Sequence, residues 1–324
     1  MSRLEVMKHL EKTVEGVLGE YLRPIDSNWQ PSELLPDSTS GNFFESIKDI
    51  QDKAKSFSND FLAVLIGDTI TEEALPTYES WLYAAEGISP RENDYESPWL
   101  KWTRSWTAEE NRHGDALNKY LTYCGRINMR EVETTTQYLI ADGFNIQTGQ
   151  DPYRNFVYTS FQEMATNISH RRVASLAKQE GDELLAKICG MIASDENRHA
   201  RAYSFFADKI FEVDPNEMML AFADMMRKKI VMPAHFMREL GGGAGETFKH
   251  FSDSAQRLGV YTSTDYIDIL KYHLERWKID AITGLDAEAE KARDFVMNLP
   301  LRLEKISERI KVPTDAYHFR WISA

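Results

Sequence analysis

Cysteine is almost missing from this chain of 324 residues, which has only Cys124 and Cys189. A disulfide framework is therefore excluded, and a reducing compartment is expected. No apolar run approaches the roughly 18 to 20 residues needed to cross a bilayer, so no membrane insertion is expected. Positive charge is also scarce, with 38 Lys and Arg against 51 Asp and Glu, for a net charge of -13. That balance argues against nucleic acid as a partner, and an acidic protein partner would require a local basic patch. The first twenty residues contain Glu5, Glu11, Glu15 and Glu20 but no apolar stretch, unlike a signal or transit peptide. A targeting segment is thus expected to be absent from this sequence.

Alternating strand patterns bounded by turn residues are nearly absent, whereas apolar residues recur at helical spacing almost throughout. The chain reads as all-α. Long helices are predicted at about 60–87, 97–124, 151–179, 182–211 and 215–231, with shorter ones near 4–21, 41–57, 130–141, 263–282 and 286–310. Breaks fall at Gly87 to Pro98, Gly143 to Pro152, Asp214 with Pro215, and Gly241 to Gly245. The cluster GGGAG comes after a helix and lacks a Gly-Lys-Ser/Thr ending, so it reads as a flexible connection, not a phosphate loop. Residues 317–322 are expected to form an extended piece or small hairpin. No linker is visible, and one domain over 1–324 is expected: an N-terminal arm (1–40), a bundle core (about 60–211), and C-terminal helices with a short tail (215–324).

One pentapeptide returns in nearly the same form: EENRH at 109–113 and DENRH at 195–199. In each, a Glu and a His three apart lie on one helix face, about a turn from each other. Glu110 with His113, and Glu196 with His199, could each grip a metal ion. Steps of three and four from Glu196 reach Cys189, Ile192, His199, Tyr203, Phe206 and Ile210; from Glu110 they reach Trp106, His113, Leu117 and Leu121. Both pairs therefore interrupt apolar stripes and point into the core. A buried carboxylate is costly unless a cation compensates it. Arg112, Arg198, Asn111 and Asn197 fall off the stripes and are assigned to supporting or packing roles.

A dinuclear bundle takes one Glu from each of two further helices. Glu163, alone among Phe156, Phe161, Met164 and Ile168, is the candidate before the second repeat; before the first, Glu72 and Glu73 are equally placed by spacing. Two divalent ions carry +4, and four carboxylates with two neutral imidazoles carry -4, so the filled site is neutral in a low-dielectric interior. Oxygen and nitrogen ligands suit iron, though manganese is tolerated and affinity alone does not select between them.

The segments ITEEALPTY, WTAEENRHGD, LNKYL, YTSFQE, DENRH, AFADMMRKKI and QRLGVYT together resemble the soluble plant acyl-[acyl-carrier-protein] desaturases, over essentially the whole chain. The resemblance implies a ferritin-like di-iron four-helix bundle core within a larger helical unit. It implies a homodimer in the plastid stroma that takes electrons from ferredoxin and uses O2. The product would be a cis double bond in an acyl chain on acyl carrier protein. By the same resemblance the two iron ions are held by Glu72, Glu110, His113, Glu163, Glu196 and His199, which places Glu73 outside the ligand set. Trp29 and Asp195 match the family's proposed electron route, and Thr166 matches a threonine near the oxygen-binding side. Three rivals share parts of this pattern: a ferritin-like iron-binding protein, a di-iron hydroxylase with the same ligands, and a radical-bearing reductase subunit. The reductase would place a tyrosine where Leu117 stands.

Against the stearoyl-type pattern, Trp81, Ala84, Ala85, Ile146 and Asn155 differ at channel positions, so an altered chain length (16:0 or 18:0) or bond position (Δ9, or Δ4 or Δ6) is expected. A continuous helix would carry Trp81 about 13 Å beyond Glu72, at roughly 1.5 Å per residue. Arg227, Lys228 and Lys229, with Lys249 and Arg257 nearby in sequence, are the candidate docking patch for the acidic carrier.

Overall fold

The computed structural model describes residues 1–90, 95–243, 245–312 and 314–323. Among the described residues thirteen α-helices run in order: α1 (Arg3–Tyr21), α2 (Pro31–Leu34), α3 (Phe43–Ala54), α4 (Asn59–Glu73), α5 (Leu75–Ala84), α6 (Pro98–Cys124), α7 (Met129–Asp142), α8 (Pro152–Gln179), α9 (Glu183–Val213), α10 (Pro215–Lys228), α11 (Glu246–Leu258), α12 (Ser263–Arg276) and α13 (Ala287–Ser307). Among the described residues there is no strand. The tail is extended, forming an isolated antiparallel bridge from Ile322 to Ile127.

Local chemistry sets the helix ends. Pro98 and Pro152 open α6 and α8, where a missing N–H costs nothing. The Asp151 carboxylate accepts from the N–H groups of Tyr153 and Arg154, and Asp182 caps α9 by accepting from Leu185. Each such cap is worth about 1 kcal/mol. Gly125 ends α6 in the left-handed region at φ 74°, a conformation glycine adopts without steric cost.

Helices α4, α6, α8 and α9 form the bundle around the site, with α8 and α9 joined by the short turn at Gly181. Helix α4 is buried on all sides from Phe61 to Ile70, which explains why FLAVLIGDTI shows no polar face. Trp99, Trp102 and Trp106 of α6 are each 2% exposed or less and pack against Phe156, Tyr203, Phe206 and His199. Truncating any of these indoles to alanine would cost about 3–5 kcal/mol.

Three expectations need correction. The helix predicted at 60–87 is two helices, interrupted at Ala74, because Pro76 in the first turn of α5 supplies no N–H to continue the ladder. Trp81 is therefore not on the helix that carries Glu72. Helix α11 is absent from the sequence-based assignment. It comes directly after the glycine cluster, whose Ala244 lies outside the described residues, and docks against α4, where Phe251 sits so close that a Cβ on Gly67 would meet its Cε2 at 2.2 Å. The helices predicted at 263–282 and 286–310 end earlier, at Arg276 and Ser307. The expected break at Gly87 to Pro98 includes residues 91–94, which also lie outside the described residues.

Candidate metal centre

Glu72 from α4, Glu110 and His113 from α6, Glu163 from α8, and Glu196 and His199 from α9 converge in the middle of the bundle. They form two groups, Glu72, Glu110, His113 and Glu196 in one, and Glu110, Glu163 and His199 in the other; within each group the ligand atoms all lie within 4.8 Å. Glu110 belongs to both. Its Oε2 is 3.3 Å from His113 Nδ1 and its Oε1 is 2.6 Å from His199 Nδ1, so one carboxylate spans the pair. His113 Nδ1 also lies 3.2 Å from Glu196 Oε1 and 3.7 Å from Glu72 Oε2; His199 Nδ1 lies 3.6 Å from Glu163 Oε2.

The donor set fits a pair of metal ions. Glu110 Oε1, His113 Nδ1, Glu163 Oε2 and His199 Nδ1 are buried without a hydrogen-bond partner, and all four belong to these two groups. Unsatisfied buried polar atoms are expensive, and cations would satisfy them together. Burial pushes Glu163 well above the usual carboxylate range, with the neighbouring charges of Glu196 and Glu110 adding to it, and burial with the charges of Glu110 and Glu72 raises Glu196. Burial also acts on Glu110, but the charges of His113 and His199 outweigh it and bring that carboxyl down to about 2.

The outward atoms are tied down by a crossed arrangement. His113 Nε2 faces Asp195 Oδ2 at 3.4 Å, while His199 Nε2 faces Glu109 Oε2 at 2.9 Å. Each carboxylate immediately precedes the glutamate of the opposite repeat. Arg112 and Arg198, expected to be off the core stripes, are buried here: Arg198 bonds both Asp195 (2.8 Å) and Glu109, and Arg112 reaches Asp195 at 3.0 Å. Asn111 and Asn197 are exposed. Two further donors hold single oxygens of the outer glutamates, His170 Nε2 on Glu72 Oε1 at 2.8 Å and Trp106 Nε1 on Glu163 Oε1 at 3.0 Å. Sequence reasoning missed Glu109, His170 and Trp106 in these roles. For Glu109 a signal existed, since the repeat carries an acid at the same place in both copies. Glu73 is bound by Asn118 at 2.7 Å and Thr136, outside the two ligand groups.

Trp29 reaches the site from the N-terminal arm. Its indole N–H donates to Asp195 Oδ2 at 2.9 Å, its ring stacks on His113 at 6.1 Å and 6°, and Arg112 lies over it at 4.6 Å. The Thr166 hydroxyl contacts Glu196 Oε2 and the backbone oxygens of Gln162 and Glu163, placing it beside the glutamate pair.

Three cavities meet in sequence. The first, about 370 Å³, is walled by apolar side chains such as Val64, Phe161, Phe248 and Ile310 with a polar rim. Thr71, Thr166 and Met232 divide it from a second of about 20 Å³, walled by Glu72, Glu110, Glu163 and Glu196. Tyr78, Trp106 and Gln162 divide that from a third of about 10 Å³, lined by Trp81, Ile146 and Asn155. Trp81 packs edge-on against Phe144 (4.4 Å) and Tyr78 (5.6 Å). Ala84 is exposed and Ala85, just past the last residue of α5, is buried, and neither lines these three cavities. The expected basic residues are mostly engaged within the chain. Arg227 covers Phe295, Lys228 pairs with Asp224 (2.8 Å), Lys249 with Asp253 (3.2 Å) and Arg257 with Asp60 (2.6 Å), while Lys229 is exposed.

A family model described as fatty acid desaturase matches residues 2–323. Stearoyl-[acyl-carrier-protein] 9-desaturase 5 of Arabidopsis thaliana is 50% identical over 324 residues, covering 99% of this chain and 81% of that protein. The 9-desaturase of Ricinus communis is 50% identical over 307 residues (95% and 77%), and palmitoyl-[acyl-carrier-protein] 4-desaturase 3 of Ophrys sphegodes is 47% identical over 324 (99% and 81%). The X-ray structure of DesA2 from Mycobacterium tuberculosis H37Rv shares the fold at TM-score 0.55 and 19% identity, covering 86% of this chain and 97% of that one. With a matched model spanning nearly every residue and relatives at half identity along its length, the chain belongs to the fatty acid desaturase family.

Proposed function

We propose that this chain is an oxygen-dependent desaturase that places a cis double bond in a saturated acyl chain carried on acyl carrier protein. The observation that carries the proposal is the train of cavities, in which an apolar chamber leads directly onto four buried glutamates and Thr166. Residues 1–324 are read as one unit with its site in the bundle core.

Two iron ions held by Glu72, Glu110, His113, Glu163, Glu196 and His199 would supply the redox chemistry that activates O2. The reaction removes two hydrogens from adjacent methylenes and consumes O2, two electrons and two protons, giving the alkene and two waters. The chain's own residues set the geometry. Phe161, Val64 and Met232 hold the substrate's apolar length in a water-poor channel, which supplies the positioning that chemically similar methylenes cannot supply themselves. The Thr166 hydroxyl, held at Glu196, is placed to pass a proton at its Oγ. Trp29, Asp195 and His113 make a contiguous path from the partly buried indole to the imidazole, suited to electrons delivered by ferredoxin. The small third cavity, lined in part by the bulky Trp81 ring, supports a preference for sixteen carbons over eighteen. Relatives named as 9- and 4-desaturases are nearly equally similar, so overall identity does not choose between Δ9 and a position such as Δ4 or Δ6. Homodimer assembly and a plastid stroma location complete the reading.

The test is anaerobic reconstitution with ferrous iron, then addition of O2, reduced ferredoxin and a panel of acyl carrier protein thioesters, with products analysed by mass spectrometry. A mono-unsaturated product supports the proposal. An exclusively hydroxylated product, or no oxidation of any thioester by a fully loaded protein, overturns it.

A further inference from the structure

The first cavity opens beside the end of α13. Ile310 is one of its lining residues, and Ser307 Oγ meets Ser263 Oγ, another rim residue, at 2.8 Å. From here the segment Leu301–Val312 presents two kinds of unused surface. Leu301 (61%), Ile306 (58%), Ile310 (47%) and Val312 (55%) are large apolar side chains left in solvent. Arg302, Lys305, Arg309 and Lys311 are exposed cations, and none of them forms an ion pair among the described residues. Of the two acids in the same stretch, Glu304 is occupied by Lys271 at 2.5 Å, leaving only Glu308. Free positive charge is thus concentrated here, on a chain that carries -13 overall.

We propose that Leu301–Val312 is the docking surface for the acidic carrier that delivers the acyl chain, a deepening that rests on the desaturase reading above. The charge distribution fits this occupant. A long-range repulsion between two acidic proteins must be overcome locally, and four unpaired cations at the rim would steer the encounter. The apolar side chains between them supply the desolvated contact that charge alone does not. The polar rim formed by Thr262, Ser263, Gln256 and Ser252 suits the amide-bearing arm that links such a carrier to its acyl thioester. Continuity of the surface with the cavity means that a carrier bound here would hold its acyl chain at the entrance.

The test uses the full chain and a fluorescently labelled palmitoyl carrier protein, with binding read by anisotropy at low and at physiological salt. In the variant Arg302→Glu/Lys305→Glu/Arg309→Glu/Lys311→Glu, affinity is expected to fall at least tenfold at low salt and to lose most of its salt dependence. A control with the same charge change elsewhere, Lys8→Glu/Lys12→Glu/Lys178→Glu/Lys187→Glu, is expected to stay within about threefold, reflecting net charge only. A second variant, Leu301→Ser/Ile306→Ser/Val312→Ser, is expected to weaken binding at both salt concentrations. All the altered side chains are exposed, so circular dichroism and thermal unfolding should be unchanged. Equal binding by the first variant and the unaltered chain overturns the placement and leaves the desaturase reading intact. A changed sedimentation mass in either rim variant also overturns it, because the surface would then belong to a second copy of this chain. No binding by the unaltered chain overturns both.

Discussion

Glu109 accepts from His199, 2.9 Å away, although the two residues belong to different repeats. Asp195 stands in the same relation to His113. Each repeat therefore orients the imidazole of the other, fixing Nδ1 toward the glutamates. Glu109→Gln is expected to lower metal affinity about 10- to 100-fold. Metal retained against a graded chelator measures this; unchanged retention would mean that Glu109 only packs. Asp195→Asn should show the same loss and, in addition, slow single-turnover reduction by ferredoxin.

Removing ligands should expose the difference between a shared and an unshared glutamate. Glu110 enters both groups, whereas Glu163 enters one. Glu110→Ala is expected to abolish bound iron, and Glu163→Ala to leave about half of it. Activity should vanish in both, as it should in Glu196→Ala. Metal analysis after anaerobic loading decides, and equal stoichiometry in the Glu110 and Glu163 variants would contradict the sharing.

Trp81 lines the third cavity together with Tyr78 and packs edge-on against Phe144 behind it. Trp81→Met should open space there and move the preference toward eighteen carbons, by roughly tenfold in the ratio of kcat/KM values, about 1.4 kcal/mol. Competition between palmitoyl and stearoyl thioesters reads this directly. A ratio identical to that of the unaltered chain would show the ring to be plain packing.

Gly114 lies beside His113 where α6 meets the end of α4. A Cβ there would stand 3.1 Å from Glu73 Cγ, 3.2 Å from its backbone nitrogen and 3.3 Å from the Glu72 carbonyl carbon. Gly114→Ala is expected to destabilise the chain by about 1–3 kcal/mol and to shift the visible absorption of the iron-loaded protein, since Glu72 is pushed. The comparison is Gly190→Ala, also within a helix but with nothing within 4 Å, where a gain of about 0.5–1 kcal/mol is expected. Thermal unfolding of the two variants should move in opposite directions.

His273 is fully buried, stacked on Phe161 (4.7 Å) and Trp277 (4.4 Å), and neither ring nitrogen has a side-chain partner. Burial, with a small contribution from the Arg276 charge and against a weak backbone contact to Ser160, depresses it to about 3. The unfolded chain then binds a proton near pH 6.5 that the native chain refuses. The stability contributed by this site is complete above that pH and is lost as pH falls, at a slope approaching about 1.4 kcal/mol per unit. Urea unfolding between pH 5 and 7 should show a smaller slope in His273→Phe; identical slopes would place the titration elsewhere.

The bundle and the clustering of the two Glu-x-x-His pairs in its core were legible because both rest on local patterns. Helical spacing places residues on a face within one turn, and Glu-x-x-His is contained in that turn. The interruption at Ala74 was also written locally, in Pro76, but was hidden by apolar residues that continue the helical period on both sides. Helix α11 was obscured for the opposite reason: a glycine run marks a break but carries no information on the element after it. Contacts such as His170 with Glu72, or Trp106 with Glu163, join residues far apart in sequence. No periodicity within one helix encodes them. Trp81 lines the third cavity, whereas its sequence neighbours Ala84 and Ala85 were not separable from it until α5 was seen to end between them.

The walls shared between the three cavities impose a limit of girth as well as length. At about 20 Å³, the middle chamber holds little more than a water molecule before anything moves. A straight chain can enter only by displacing the flexible side chains at its two gates, Met232 on one side and Gln162 on the other. A methyl branch would have to displace the indole of Trp106 and the ring of Tyr78, which are held by packing on several sides. On the desaturase reading the same passage would therefore sort substrates by thickness, turning away branched chains before any bond is touched.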